Sequence, residues 1–253
     1  MKIIYIILLI AACCTCEGIP LEGPRILNPD RIGIKKSIKP FQKEKDLESS
    51  KSLKKHLSDY AKLKKSIQRR KKKIKSMNQL KLRGKQNMAK AYISTTLVDS
   101  IFPYWLGTPW DFNGYTEKPR DGKIACGYFV STTLRDVGFQ INRYKIAQKG
   151  ATDIIKALCG SEAIQRFGNY SKFKSFVDQK QEGHVMIIGL DYHVGFLFRK
   201  NNQTYFAHSD YFNNKVVIEK IEDSTSLKQS RSYVVADLFY NSILLNKWLN
   251  QNA

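Results

Sequence analysis

The sequence predicts an α+β fold in which N-terminal helices pack on an antiparallel sheet of about five strands. Three observations predict it. Apolar residues recur every three to four positions in the first half of the chain, and glycines stand where those runs end, at Gly138 and Gly160. Beyond residue 184 the pattern changes to short β-branched and aromatic runs separated by Gly, Asp, Asn and Ser. The last apolar stretch, Ser242 to Asn250, returns to helical spacing.

The chain opens with Lys2 and an unbroken apolar run of ten residues, Ile3 to Ala12. That run is too short to span a bilayer and matches the core of a signal peptide, so residues 1–16 are expected to target the chain for export. Ile10-Ala11-Ala12-Cys13 resembles the lipobox of bacterial lipoproteins, which implies lipid attachment at Cys13. An ordinary cleaved secretory signal is the alternative. Either reading puts the protein outside the cytoplasm, in the cell envelope as a membrane-anchored lipoprotein or, with a cleaved signal, secreted or periplasmic.

Residues 17–50, with four prolines, are expected to form a flexible tether. Residues 51–84 follow as a basic arm: Leu53, Leu57, Tyr60, Ile67, Ile74 and Met77 recur at helical spacing over 51–80, with Ser50 as N-cap, and the opposite face is almost all lysine and arginine. Residues 25–90 hold 23 Lys and Arg against 5 Asp and Glu, so they carry +18 of the chain's +21 and leave +3 for everything else. Such a helix suits an anionic membrane or wall surface, and a solvated spacer is the plain alternative. Nucleic acid is not an expected partner, because an exported chain rarely meets it and Arg69 to Lys75 lacks interleaved aromatics. His56, among lysines, is expected to be solvated.

The remaining part, residues 85–253, is nearly neutral and long enough for one core. Its predicted elements are helices over 88–101, 126–138 and 150–167, a meander of strands at His184–Leu190, His193–Arg199, Thr204–His208, Val216–Ile221 and Tyr233–Tyr240, and the final helix. Trp105, Trp110 and Phe112 precede the second helix and either line a groove or belong to the core.

Cys126 opens the 126–138 helix, where unpaired backbone N–H groups and the positive end of the dipole favour thiolate. A cysteine so placed is a candidate nucleophile, and its own N–H a candidate oxyanion donor. If the second and third strands form a hairpin across Arg199 to Gln203, a loop of even length puts His193 and His208 on one face, directly opposed for a Lys200-Asn201 turn. An odd loop separates them. His184 is the rival base, and Gly195, two residues along from His193, favours His193 by leaving room for a substrate chain. A Cys126–Cys159 disulfide is the alternative to a nucleophile, although Cys159 ends an apolar helical run and suits a packed thiol. The Cys and His spacings lack the short pairs of zinc ligands, so no metal and no cofactor is implied.

The segment Pro103 to Gly114, with Gly107-Thr-Pro-Trp110 inside it, the Cys126-Gly127-Tyr-Phe-Val helix start, the His193-Val-Gly-Phe-Leu strand and Phe206-Ala-His208 resemble the successive blocks of the NlpC-type cell-wall cysteine peptidases, a papain-like family. The resemblance spans roughly residues 88–215. It implies a papain-like fold, Cys126 as nucleophile, His193 as base and His208 as the residue orienting its imidazole, with Trp110 and Gly127 at the substrate. It also implies hydrolysis of an amide bond through a thioacyl-enzyme, first of all in peptidoglycan stem peptides, with the bond open between one within the stem, the sugar-to-peptide amide, and a non-wall amide or ester. The chain departs from the family in having Ala125-Cys126-Gly127-Tyr128 for Asp-Cys-Ser-Gly, Trp110 for a tyrosine, and an apparent insertion from Tyr115 to Ile124. A wall-binding scaffold with an inactive site, using its basic helix, is the second reading.

Overall fold

The computed structural model describes residues 40–240 and 242–250. The expected signal segment, Cys13 and most of the expected tether therefore lie outside the described residues. Helix α1, Pro40–Lys75, is longer than its predicted 51–80 at the N-terminal end, and Ser50 lies inside it rather than capping it. Pro40 is tolerated in a first turn, where its missing N–H costs nothing, and no Gly or Pro follows before Ser50 to break the helix.

Helix α2, Leu82–Thr96, continues through a π-helical turn at Leu97–Ile101 into the short α3, Phe102–Trp105. Helix α4, Cys126–Asp136, runs close to the predicted span and ends before Gly138, whose φ is +108°. After α5, Arg143–Ala147, helix α6 covers only Ala151–Cys159. The expected helix to 167 stops at Gly160, and Ile164–Phe167 is instead strand β1. Helix α7, Tyr170–Asp178, which periodicity did not reveal, is capped by Asn169, whose side chain accepts from the Lys172 N–H.

The other strands are β2 Val185–Gly189, β3 Val194–Lys200, β4 Gln203–Asp210, β5 Lys215–Lys220 and β6 Tyr233–Asp237. Helix α8, Thr225–Gln229, precedes β6, and α9, Ser242–Asn250, ends the described chain on its predicted bounds. The sheet has six strands rather than about five, in the order β1-β6-β2-β3-β4-β5. The meander holds from β2 to β5 only, because β6 crosses back to pair with both β1 and β2.

Both faces of the sheet are covered. Ile187, Phe196, Phe198 and Ala207 on one face join Phe102, Trp105, Phe129 and Trp248 in the larger cluster, while Ile188, Leu197, Phe206 and Val235 on the other join Phe173 and Leu227. Glu44–Ala253 form one compact unit, and α1 shares its core through Tyr60, Ile67 and Ile74. Polar contacts reinforce this seam. The Trp105 Nε1–H donates to the Tyr60 hydroxyl (2.9 Å), which donates to Asp136 Oδ2 (2.7 Å), and buried Lys71 donates to the Gly138 carbonyl (2.8 Å). His56 is half-buried rather than solvated, with Nε2 3.0 Å from the Tyr104 carbonyl.

Candidate active site

Cys126 is held at the start of α4 by the segment that leads into it. The Ala125 N–H donates to the Gly114 carbonyl (2.8 Å), the Ile124 N–H to the Pro109 carbonyl (2.9 Å), and Ser209 of β4 donates its hydroxyl to the Ile124 carbonyl (2.7 Å). The Gly107-Thr-Pro-Trp110 block is tied in turn to the start of β5: Val216 donates to the Thr108 carbonyl and Trp110 to that of Asn214. Gly127 packs where no side chain fits, because a Cβ there would stand 2.5 Å from the Ala147 carbonyl oxygen of α5.

Cys126 and Cys159 are both thiols, so the disulfide alternative does not occur. Cys159 is buried in the core, and burial together with the nearby Asp237 carboxylate pushes its pKa up to about 12. Burial also pushes the Cys126 thiol up, against the pull of the Val194, Gly127 and Cys126 backbone N–H groups toward thiolate. The thiol expected to ionise easily at a helix start is therefore protonated at rest.

The β3–β4 hairpin turns on Asn201-Asn202, with φ of +51° and +57°, as a two-residue type I′ loop requires. The loop is even, so His193 and His208 share a face. The turn falls one residue later than Lys200-Asn201, and the two histidines are diagonal rather than opposed. Their rings lie 4.9 Å apart, with His193 Nε2 and His208 Nδ1 at 2.8 Å. The position opposite His208 is Gly195, and a Cβ there would meet Phe206 at 2.6 Å and His208 Cβ at 2.8 Å. The room expected for substrate at Gly195 is thus occupied by the hairpin's own side chains.

Both histidines are buried, and burial, with His208 adding to it, holds His193 well below the ordinary histidine range. His208 stacks on Phe206 at 3.8 Å and reaches Glu219 of β5, Nε2 to Oε1, at 3.1 Å. His184, the rival base, sits against Asp237 at 2.6 Å and is not among the residues around Cys126.

Cys126, Gly127, His193, Trp110 and Phe112 line one cleft of about 480 Å³, walled also by Tyr211. Trp105, by contrast, is fully buried core. A more polar hollow of about 780 Å³ continues past His193 and Tyr211 toward Asp191 and Arg231. The Tyr115–Ile124 segment is pinned over the aromatic side by Arg143, only 2% exposed, which donates to Thr132, to Glu117 and to the Tyr115 and Thr116 carbonyls. Glu219, Tyr211 and Arg143 escaped the sequence reading. Glu219 becomes visible only once the β4–β5 register is known: His208 pairs with Val217, and Glu219 lies two residues along on the same face.

No family model matches this chain, and no curated protein is similar to it in sequence. Three crystal structures of an N-acetylmuramoyl-L-alanine amidase from Bacteroides uniformis ATCC 8492 are similar to it in structure. The first, at 1.07 Å resolution, is 12% identical, with 57% of this chain and 98% of that one covered and a TM-score of 0.35. The second and third are each 13% identical. They cover 57% and 55% of this chain and 98% and 97% of theirs, with TM-scores of 0.34 and 0.32.

Proposed function

We propose that the protein is an exported cysteine hydrolase that cleaves an amide bond, in peptidoglycan stem peptides, through a thioacyl-enzyme. The observation that carries this reading is the His193–His208 bond beside a cleft that also holds the Cys126 thiol. His208 occupies Nε2 of His193, which leaves Nδ1 to serve the thiol. Cys126 Sγ adds to the substrate carbonyl as Nδ1 takes the thiol proton. His193 then returns that proton to the departing amine; a water, deprotonated by the same nitrogen, attacks the thioester, and His193 gives that proton to the departing Sγ, which releases the acid and restores the thiol. The Cys126 and Gly127 N–H groups, which point toward the thiol from the first turn of α4, suit the developing oxyanion.

Because burial favours neutral thiol and neutral imidazole, proton transfer accompanies attack rather than preceding it. The resemblance of the Cys126, His193 and His208 blocks to the NlpC-type peptidases supports a wall peptide as the substrate. Lipid attachment at Cys13 and the basic face of α1 would keep the enzyme near an anionic wall or membrane surface.

The test is to incubate the purified protein and its Cys126→Ala variant with peptidoglycan and with isolated stem peptides, and to analyse the products by mass spectrometry. New fragments from the wild type alone are expected, and their masses identify the bond. Intact substrate in both, with wall binding undiminished, would favour a non-catalytic wall-binding protein.

A further inference from the structure

We propose that Glu219 is a positioning residue that fixes the proton arrangement of both histidines, so that His193 keeps a bare Nδ1 for the thiol; this rests on the cysteine hydrolase reading. A carboxylate only accepts hydrogen bonds, so the His208 Nε2 that lies 3.1 Å from Glu219 Oε1 carries the hydrogen. In the one-proton form of His208 that hydrogen is the ring's only N–H, which leaves Nδ1 as an acceptor. That atom lies 2.8 Å from His193 Nε2, which must therefore donate. His193 Nδ1 is then the unprotonated nitrogen, the form a general base requires.

The His193–His208 bond alone does not select this state. With both protons moved, His208 Nδ1–H would donate to His193 Nε2 over the same 2.8 Å, and the hydrogen would sit on His193 Nδ1, where it disables the base. Asp210 pulls toward that reversed state, since its Oδ1 lies 3.8 Å from His208 Nδ1. It is beyond hydrogen-bond reach, and its oxygens already accept from Ser226, Phe212 and Asn213. Glu219 is the group that decides between the two. The fold places it there: Glu219 pairs across β4–β5 with Phe206, on whose ring His208 stacks at an interplanar angle of 14°. Tyr211, an ionisable group that shares the cleft with His193 and Cys126, packs its ring on His193 at 5.5 Å and bonds through its side chain to Ser226, and Asp191 and Arg231 line the adjoining hollow.

The test is a long-range ¹H–¹⁵N correlation spectrum of the imidazoles in the full protein, with turnover of peptidoglycan fragments, for wild type, Glu219→Gln and Glu219→Leu. The wild type is expected to carry the hydrogen on Nε2 of both rings. Loss of the acceptor in Glu219→Leu is expected to mix or reverse the tautomers and to lower kcat about tenfold or more with KM little changed, and Glu219→Gln, which keeps an acceptor oxygen, to recover part of both. A hydrogen on Nδ1 of His208 in the wild type, or unaltered tautomers in a folded Glu219→Leu protein, overturns the proposal. Should the Leu variant fail to fold, the wild-type tautomers and the Gln variant decide. Tautomers that follow Glu219 in a protein without turnover would uphold its role and count against the hydrolase instead.

Discussion

His193 reaches His208 only because the hairpin between them has no side chain at Gly195. A Cβ at that position would lie 2.8 Å from the Ala207 carbonyl oxygen as well as against Phe206 and His208, and backbone cannot yield as a flexible side-chain tip can. Gly195→Ala is therefore expected to cost about 1–3 kcal/mol in urea unfolding, the usual range for overpacking. It should also lower activity by moving His208. Unaltered stability would mean that β3 and β4 separate easily.

The depressed pKa of His193 gives a second expectation at this scale. The unfolded chain takes up the proton near 6.5, whereas the folded protein does so only at lower pH. Between those two values the unfolded state holds more protons, so stability rises with pH through the window; it is complete above 6.5 and lost as pH falls. The acid limb of kcat/KM is expected to lie below pH 6.5 for the same reason. Urea titrations from pH 8 down to 4 on the wild type and His193→Phe would check the sign, because the variant should lose that part of the dependence.

At the scale of elements, helix α1 is joined to α3 and α4 by a buried chain of two hydrogen bonds through one hydroxyl. Trp105 donates to Tyr60, and Tyr60 to Asp136. Tyr60→Phe keeps the ring packing against Tyr104 and Trp105 and removes only the bridge, leaving a buried indole N–H without its acceptor. A loss of about 1–3 kcal/mol is expected. Elements that rest on local chemistry were legible in the sequence: α4 from its apolar spacing and Gly138, α9 from its own run, and the β2–β5 runs from their β-branched and aromatic residues and the turn residues between them. Elements that rest on distant partners were not. Strand β1 exists because Ile164–Phe167 pairs with β6, seventy residues on, and β6 lies beside β2 for reasons no local window contains. The histidine pair stood between these cases, since its shared face follows from an even loop, but its diagonal geometry needed the turn to be placed at Asn201-Asn202. Arg143 illustrates the remaining gap, for nothing in its own segment reports that it holds Tyr115 and Thr116 twenty-seven or more positions earlier.

Across the whole molecule, charge and chemistry are segregated. Helix α1 turns Tyr60, Ile67 and Ile74 into the core and leaves Lys65, Arg69, Lys72 and Lys73 exposed, while the cleft with Cys126 lies in the nearly neutral remainder. A row of exposed cations on a rigid helix attracts an anionic surface through a field that salt screens, over about 10 Å at 0.1 M and 3 Å at 1 M. Binding to phosphatidylglycerol-containing vesicles, followed by co-sedimentation, is therefore expected to be strong at low salt and to vanish near 1 M, with none to phosphatidylcholine alone. Replacing Lys65, Arg69, Lys72 and Lys73 by glutamine removes four charges worth about 1 kcal/mol each near such a surface, roughly a thousandfold in affinity. Because these side chains point away from the core, the quadruple variant should cleave isolated soluble stem peptides as the wild type does and lose ground only on surface-bound substrate. Equal vesicle binding by the variant, or binding that survives high salt, would show that the basic face of α1 is a solvated side of a packed helix and that the surface is recognised elsewhere.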